Sequence, residues 1–268
     1  MKRWGFLLLS VVFLSTCKKK GAGEPEEPWF NLFTVEDDLK LGQQVAQEIE
    51  SDPQNYPILD SAQYATAYAH LYRMRDALLA TGKLKYADRF PWRIRIIRDD
   101  STLNAFCAPG GYIYIYTGII KYLRNEAELM GVLGHEMAHA DRRHVTQLLT
   151  QAYGIQTLLS LITGRENPTL IEQIATNLLL LSFSRDHERD ADEHSVIYLC
   201  PTEYKADGAA YFFEYITQAG GPRVPEFLST HPDPGERVQN IRRKAQDLNC
   251  GGNQTYDARY AQLKASLP

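Results

Sequence analysis

The chain has no surplus of positive charge. Its 29 Lys and Arg stand against 33 Asp and Glu, a formal net charge of −4. Loss of Lys2 and Arg3 with an N-terminal signal takes this to −6 by subtraction (−4 − 2). That balance gives no electrostatic footing for a nucleic-acid partner. Long apolar runs are also missing. Trp4 to Leu14 is too short to span a bilayer as a helix, and the runs 145–163 and 170–183 are interrupted by Gln147, Gln151, Gln156, Gln173 and Asn177. The two runs read as a buried or membrane-contacting helical hairpin, not as spanning helices. The eighteen residues after Cys250 are too few for a tetratricopeptide-like repeat, so none is expected there. Cysteine is scarce, with only Cys17, Cys107, Cys200 and Cys250.

What is present begins at the N-terminus. Lys2 and Arg3, the apolar run and Leu14-Ser15-Thr16-Cys17 resemble a lipoprotein signal with its lipobox. Cys17 is the expected lipidation site, with several acyl chains anchoring the protein where one would not suffice. Lys18, Lys19 and Lys20 would then lie at anionic head groups. Gly21 to Pro28 reads as a flexible tether. The expected organisation is a signal over 1–16, a lipidated tether over 17–33, one domain over 34–250 and a tail over 251–268. About 230 residues after the tether are enough to bury a full core around one site. With Cys17 lipidated an odd number of thiols remains; Cys200 with Cys250 is the favoured pair, and Cys107 reads as a small buried hydrophobe.

The most informative stretch is His135-Glu136-Met137-Ala138-His139, at the end of an apolar helical run. Two histidines four apart project from one helix face, so both imidazoles reach one metal ion, while Glu136 sits beside it. That is the arrangement of a zinc peptidase: the metal activates a water, and a carboxylate takes its proton as it attacks a peptide carbonyl. A catalytic zinc takes a third protein ligand. A metzincin would have glycine three residues and histidine six residues after His139, but Arg142 and Val145 stand there. His144 would point off the metal-facing stripe of a continuous helix. In Ser184 to Asp192, Glu188 is the better candidate, with Asp192 one turn on and placed to fix a ligand imidazole. Glu193 is a weaker alternative, and His187 and His194 read as surface or packing residues.

Four blocks within about residues 34–248 resemble metallopeptidase family 48, the gluzincins that include CAAX prenyl endopeptidases, HtpX-type membrane proteases and periplasmic assembly-quality-control proteases. They are Asn104-Ala105-Phe106-Cys107-Ala108-Pro109-Gly110-Gly111, Gly134 to His139, Ser184 to Asp192, and Ser229-Thr230-His231-Pro232 followed by Arg237. Cys107 stands where the family usually has alanine, and Asp190 where many members have glutamate. The resemblance implies one Zn2+ per chain on His135, His139 and Glu188, with Asp192 as their partner and Glu136 as general base. It further implies that His231 donates to the oxyanion and Arg237 holds nearby charge in place. Because His231 lies in a loop, its imidazole could also occupy the zinc's open position at rest and make the enzyme latent.

The expected fold is α+β and predominantly helical, a zincin-like domain with a small antiparallel sheet beside the zinc helix. Strands are expected over 92–98, around 104–107 and over 112–116, with Pro109-Gly110-Gly111 as the turn. Tyr112, Tyr114 and Tyr116 read as an aromatic face on the core, and an edge strand above the metal is expected to pair with substrate backbone. Helices are expected over 34–50, 60–80, 126–150, 170–183, 187–199, 204–219 and 236–248, the first capped by Thr34. The functional expectation is a zinc endopeptidase of the bacterial envelope, lipid-anchored at the outer membrane and facing the periplasm, acting on misfolded or misassembled proteins. The alternative is a non-proteolytic chaperone or assembly factor with a structural or latent metal site; an intact Glu136 argues against it.

Overall fold

The computed structural model describes residues 29–163, 168–178, 182–218, 226–232 and 234–268. The expected signal, Cys17 and the tether up to residue 28 lie outside the described residues. Residues 29–33, also assigned to the tether, lie against the domain: Phe33 is buried, and Asn31 Nδ2 donates to Thr146 Oγ1 at 3.0 Å.

Thr34 opens α1 (Val35–Ser51) with a capping box. Its hydroxyl accepts from Asp37 N at 3.2 Å, and Asp37 Oδ2 accepts from Thr34 N at 2.8 Å. Leu41, Val45, Ala46 and Ile49 form the buried stripe of this helix. After α2 (Ala65–Leu79) come β1 (Arg93–Ile97), β2 (Ala105–Ala108) and β3 (Tyr112–Tyr116). Gly110 and Gly111, at φ +72° and +84°, make the β2–β3 turn in a region that disfavours other residues.

The sheet corrects one expectation. Only β2 and β3 are antiparallel; β1 pairs with β3 in parallel, Arg93 opposite Tyr112 and Ile97 opposite Tyr116, in the order β1-β3-β2. The loop 98–104 returns the chain in the opposite direction but leaves a strand's width, which β3 fills. A strand inserted between two oppositely directed strands must run parallel to one of them. Tyr112, Tyr114 and Tyr116 are all buried, as are Ile113 and Ile115 between them, so both faces of β3 are covered.

After α3 (Thr117–Tyr122), α4 (Glu126–Asp141) runs through the centre with all sixteen residues buried. Asn125 caps it, accepting from Glu128 N at 3.1 Å. A Cβ on Gly131 would fall 2.2 Å from Ala209 N, and one on Gly208 2.0 Å from Ala127 O. Only glycine lets α4 and α9 (Gly208–Gln218) approach so closely.

The expected single helix over 126–150 is broken. Arg143 takes a left-handed conformation at φ 62°, ending α4 before α5 (His144–Ala152). Its guanidinium donates to Asp38 Oδ2 and to Phe33 O, both at 2.6 Å, so contacts with α1 hold the break. A second interruption at Tyr153 and Gly154 separates α5 from α6 (Ile155–Ile162). α7 (Pro168–Asn177) buries Leu170, Ile171, Ile174 and Ala175 and packs on α1. Among the described residues no helix is long and apolar enough to cross a membrane.

Ser184 caps α8 (Arg185–Leu199), accepting from His187 N at 3.2 Å. α8 and α9 pack on α4, and α11 (Pro234–Asp247) packs on both of them. The short α10 (Glu226–Thr230) precedes His231. Cys200 and Cys250 form a disulfide, and Cys107 is a buried free thiol. Part of the expected tail is helical and packed: in α12 (Asp257–Ala265), Tyr260 and Leu263 are buried, and the Tyr260 hydroxyl donates to Ile120 O at 2.6 Å.

Candidate metal centre

Four side chains bring ligand atoms together in the interior. His135, His139, Glu188 and His231 each offer one atom, and these atoms all lie within 4.8 Å of one another. The α4 helix supplies the histidine pair, with Nε2 of His135 3.0 Å from Nε2 of His139. Glu188 enters from α8, its Oε2 3.4 Å from His135 Nε2 and its Oε1 3.3 Å from His139 Nε2. His231 closes the group from the segment after α10, its Nδ1 2.9 Å from Glu188 Oε1 and 3.3 Å from His135 Nε2. None of the four is more than 1% exposed, so solvent does not reach them in this conformation.

The donor set fits a zinc ion. Imidazole nitrogens and one carboxylate oxygen are the zinc ligands of catalytic sites. Three buried imidazoles and a glutamate sharing one small space have no packing rationale of their own. Glu136 adds a second indication, because both its carboxylate oxygens are buried without a hydrogen-bond partner. Burial lifts its carboxyl above the usual carboxylate range, against the pull of His231 and His135. Glu188 goes the other way. Burial opposes its ionisation, but His231, Arg237 and hydrogen bonds from both helix histidines hold its carboxyl well below the usual range. Burial lowers the His139 imidazole well below its ordinary value, which keeps a lone pair free for a cation.

The surrounding residues orient these donors. Asp192 Oδ1 is 3.0 Å from His135 Nδ1, the nitrogen turned away from the donor group. A carboxylate there fixes which nitrogen carries the proton. Arg237 on α11 grips Asp192 with two hydrogen bonds and lies 2.8 Å from Glu188 Oε2. Its Nη1 also donates to His231 O at 3.4 Å. His231 Nε2 lies 3.5 Å from Glu136 Oε1. Glu193, the weaker alternative ligand, is directed elsewhere and pairs with Lys244 at 3.0 Å. His144 is outside the donor group, behind His139. His187 is buried in packing, and His194 is half-buried with its Nδ1 2.8 Å from Asp190 O.

Some contributors were not visible in the sequence. Phe183 stacks on His139 with ring centres 4.0 Å apart, and Phe227 stacks on His231 at 4.2 Å. Backbone bonds tie these aromatics into one cover, Phe183 N to Thr230 O at 3.1 Å and Phe227 N to Leu103 O at 3.2 Å. Asp141, at the end of α4, accepts from Lys85 N, Tyr86 N and the Tyr198 hydroxyl at 2.7 to 2.9 Å, which locks α4 to α8 below the site. An acidic residue just past a zinc-helix motif is the only sequence signal for it.

Fold and site together define a zincin-like metallopeptidase: a mostly helical domain, a small mixed sheet and a His-Glu-x-x-His helix completed by a glutamate from a second helix. The profile of Peptidase family M48 matches residues 67–245, and the chain belongs to that family. Among its relatives is the mitochondrial metalloendopeptidase OMA1 of Arabidopsis thaliana, 31% identical over 146 residues, 54% of this chain and 30% of the relative. A putative beta-barrel assembly-enhancing protease of Vibrio cholerae is 25% identical over 180 residues, 58% of this chain and 35% of the relative. The metalloprotease YcaL of Escherichia coli is 25% identical over 190 residues, 69% of this chain and 74% of the relative. The chain spans about a third of the length of the first two relatives. By family and by the names of these relatives it is of the metalloendopeptidase class.

Proposed function

We propose that the protein is a zinc-dependent endopeptidase of the bacterial envelope that hydrolyses misfolded or misassembled proteins, held to the membrane by lipid on Cys17. The observation that carries the enzymatic part is the pairing of a buried donor group with a buried carboxylate, Glu136, that has no hydrogen-bond partner and lies on the helix of His135 and His139. The names of the bacterial relatives support an envelope setting. The Leu14-Ser15-Thr16-Cys17 motif supports the anchor.

A zinc ion on His135, His139 and Glu188 would supply Lewis-acid chemistry. The chain's own residues do the rest. Glu136, with no competing hydrogen bond, is free to take a proton from a water nucleophile and return it to the leaving amine. Asp192 keeps the His135 proton on Nδ1 and its Nε2 lone pair turned toward the donor group. β2 is the edge strand of the sheet beside α4 and is buried in this conformation; once the His231 segment is displaced, an extended substrate can add its backbone there. Such recognition reads backbone more than sequence and suits unfolded chains.

In this conformation His231 and its aromatic cover fill the approach to the site. We assign His231 two successive tasks: closing the donor group at rest, then, once its segment is displaced, donating to the oxyanion. A direct test offers the full chain one β-barrel membrane protein in urea-unfolded and in detergent-folded form. Cleavage confined to the unfolded form and lost in Glu136→Gln is expected. Equal cleavage of both forms would remove the quality-control reading, and labelling by radioactive palmitate that persists in Cys17→Ser would remove the anchor.

A further inference from the structure

His139 presents its two ring nitrogens to different surroundings. Nε2 faces the donor group, and Nδ1, across the ring, lies 3.0 Å from Nδ1 of His144. His144 is fully buried, and its other nitrogen, Nε2, lies 3.1 Å from Asp190 Oδ2. Asp190 is itself fixed by Arg142 Nε, which donates to Oδ2 at 2.8 Å. The left-handed turn at Arg143 makes this possible. In an unbroken helix His144 would project away from His139, and the break swings its ring back behind it.

With His139 ligating through Nε2, the proton positions along this chain follow. Two imidazole nitrogens at hydrogen-bond distance share one proton, so one donates and the other accepts. A His139 that ligates through Nε2 keeps its proton on Nδ1, so His144 Nδ1 accepts. The His144 proton then sits on Nε2 and is donated to Asp190, whose carboxylate can only accept. We propose that His144 and Asp190 are positioning residues that fix the tautomer and ring plane of His139 and so tighten its grip on the metal. This rests on His139 being a ligand. The relay mirrors the one on the other helix histidine, where Asp192 contacts His135 directly and Arg237 holds Asp192.

Packing confines the relay rings. His187 stacks on His144 with centres 4.6 Å apart and planes 22° apart, and Trp29 stands edge-on to both, at 5.4 Å from His144 and 4.8 Å from His187. A test must therefore separate hydrogen bonding from space filling. His144→Phe keeps an aromatic ring and removes the acceptor. His144→Asn puts a carbonyl oxygen near the place of Nδ1 and leaves part of the volume empty. Asp190→Asn keeps the shape and removes the charge.

The readout is zinc itself: the dissociation constant of the full chain by competition with a chromogenic chelator, and the rate of zinc release, with the melting temperature of the metal-free proteins as a folding check. Loss of a partner behind a ligand histidine typically weakens metal binding about 10- to 100-fold. That loss is expected for His144→Phe, with a smaller loss for Asp190→Asn and partial recovery in His144→Asn. Zinc affinity and release within about twofold of wild type in a folded His144→Phe would reduce the contact to packing and overturn the proposal. Should that variant fail to fold, unchanged zinc release in Asp190→Asn overturns it equally. His139→Ala is the separate control, because unaltered zinc binding there would remove the ligand assignment and not the relay alone.

Discussion

Arg237 on α11 binds Asp192 on α8 through one edge of its guanidinium, Nε to Oδ2 at 2.7 Å and Nη2 to Oδ1 at 2.6 Å. Both side chains are buried, and the same arginine neutralises Glu188. Burying a charge without its partner is costly, and truncating one side of a buried pair typically destabilises by about 3–5 kcal/mol. Arg237→Leu is therefore expected to lower unfolding free energy by roughly that amount in a denaturant titration. Arg237→Lys should recover little, because an ammonium cannot reproduce the fork. An Arg237→Leu protein as stable as wild type would mean the pair contributes nothing to the fold.

His231 gives a functional expectation. Its Nδ1 is part of the donor group and its ring lies under Phe227, so removing the imidazole should open the site. Basal cleavage of an unfolded substrate by His231→Ala is expected to exceed that of wild type. Lower activity on every substrate and under every condition would leave only the oxyanion role.

Metal removal should be felt in stability as well as activity. A ligand present at about a thousand times its dissociation constant stabilises the native state by about 4 kcal/mol. Stripping zinc with a chelator is thus expected to lower the melting temperature, and His135→Ala should lose that dependence. A melting temperature indifferent to chelator would show that the donor group holds no metal in solution.

The Cys200–Cys250 disulfide joins the end of α8 to the segment before α12, fifty residues apart in sequence. Closing a loop of that length in the unfolded chain contributes about 4 kcal/mol in the chain-entropy estimate. The double Cys→Ser protein should lose much of that in equilibrium unfolding, with zinc affinity preserved because neither cysteine touches the donor group.

What was legible in the sequence was the chemistry carried by local spacing. His135 and His139 are four apart on one helix, and Glu188 and Asp192 repeat that spacing on another, so each pair shares a face whatever the tertiary arrangement. The break at Arg143 was not legible, because arginine carries no helix-stop signal and its left-handed conformation is held by Asp38 and Phe33, both more than a hundred residues away. The role of His144 was missed with it. The direction of β1 depends on the width of the loop 98–104, which alternation of side chains does not encode. Helix α12 was read as tail because Asp257–Ala265 is short and polar, and only Tyr260 and Leu263 are drawn into the core.

In the proposed function, peptidase activity depends on Glu136, on the helix that also carries His135 and His139. The most direct test of that claim is casein cleavage by the chain from Lys18 onward, beside Glu136→Gln with equal zinc content confirmed. The expected result is cleavage by wild type and a loss of roughly 10²- to 10⁴-fold or more in the variant, the range general-base catalysis contributes. Equal cleavage by both proteins at equal zinc content would contradict the claim.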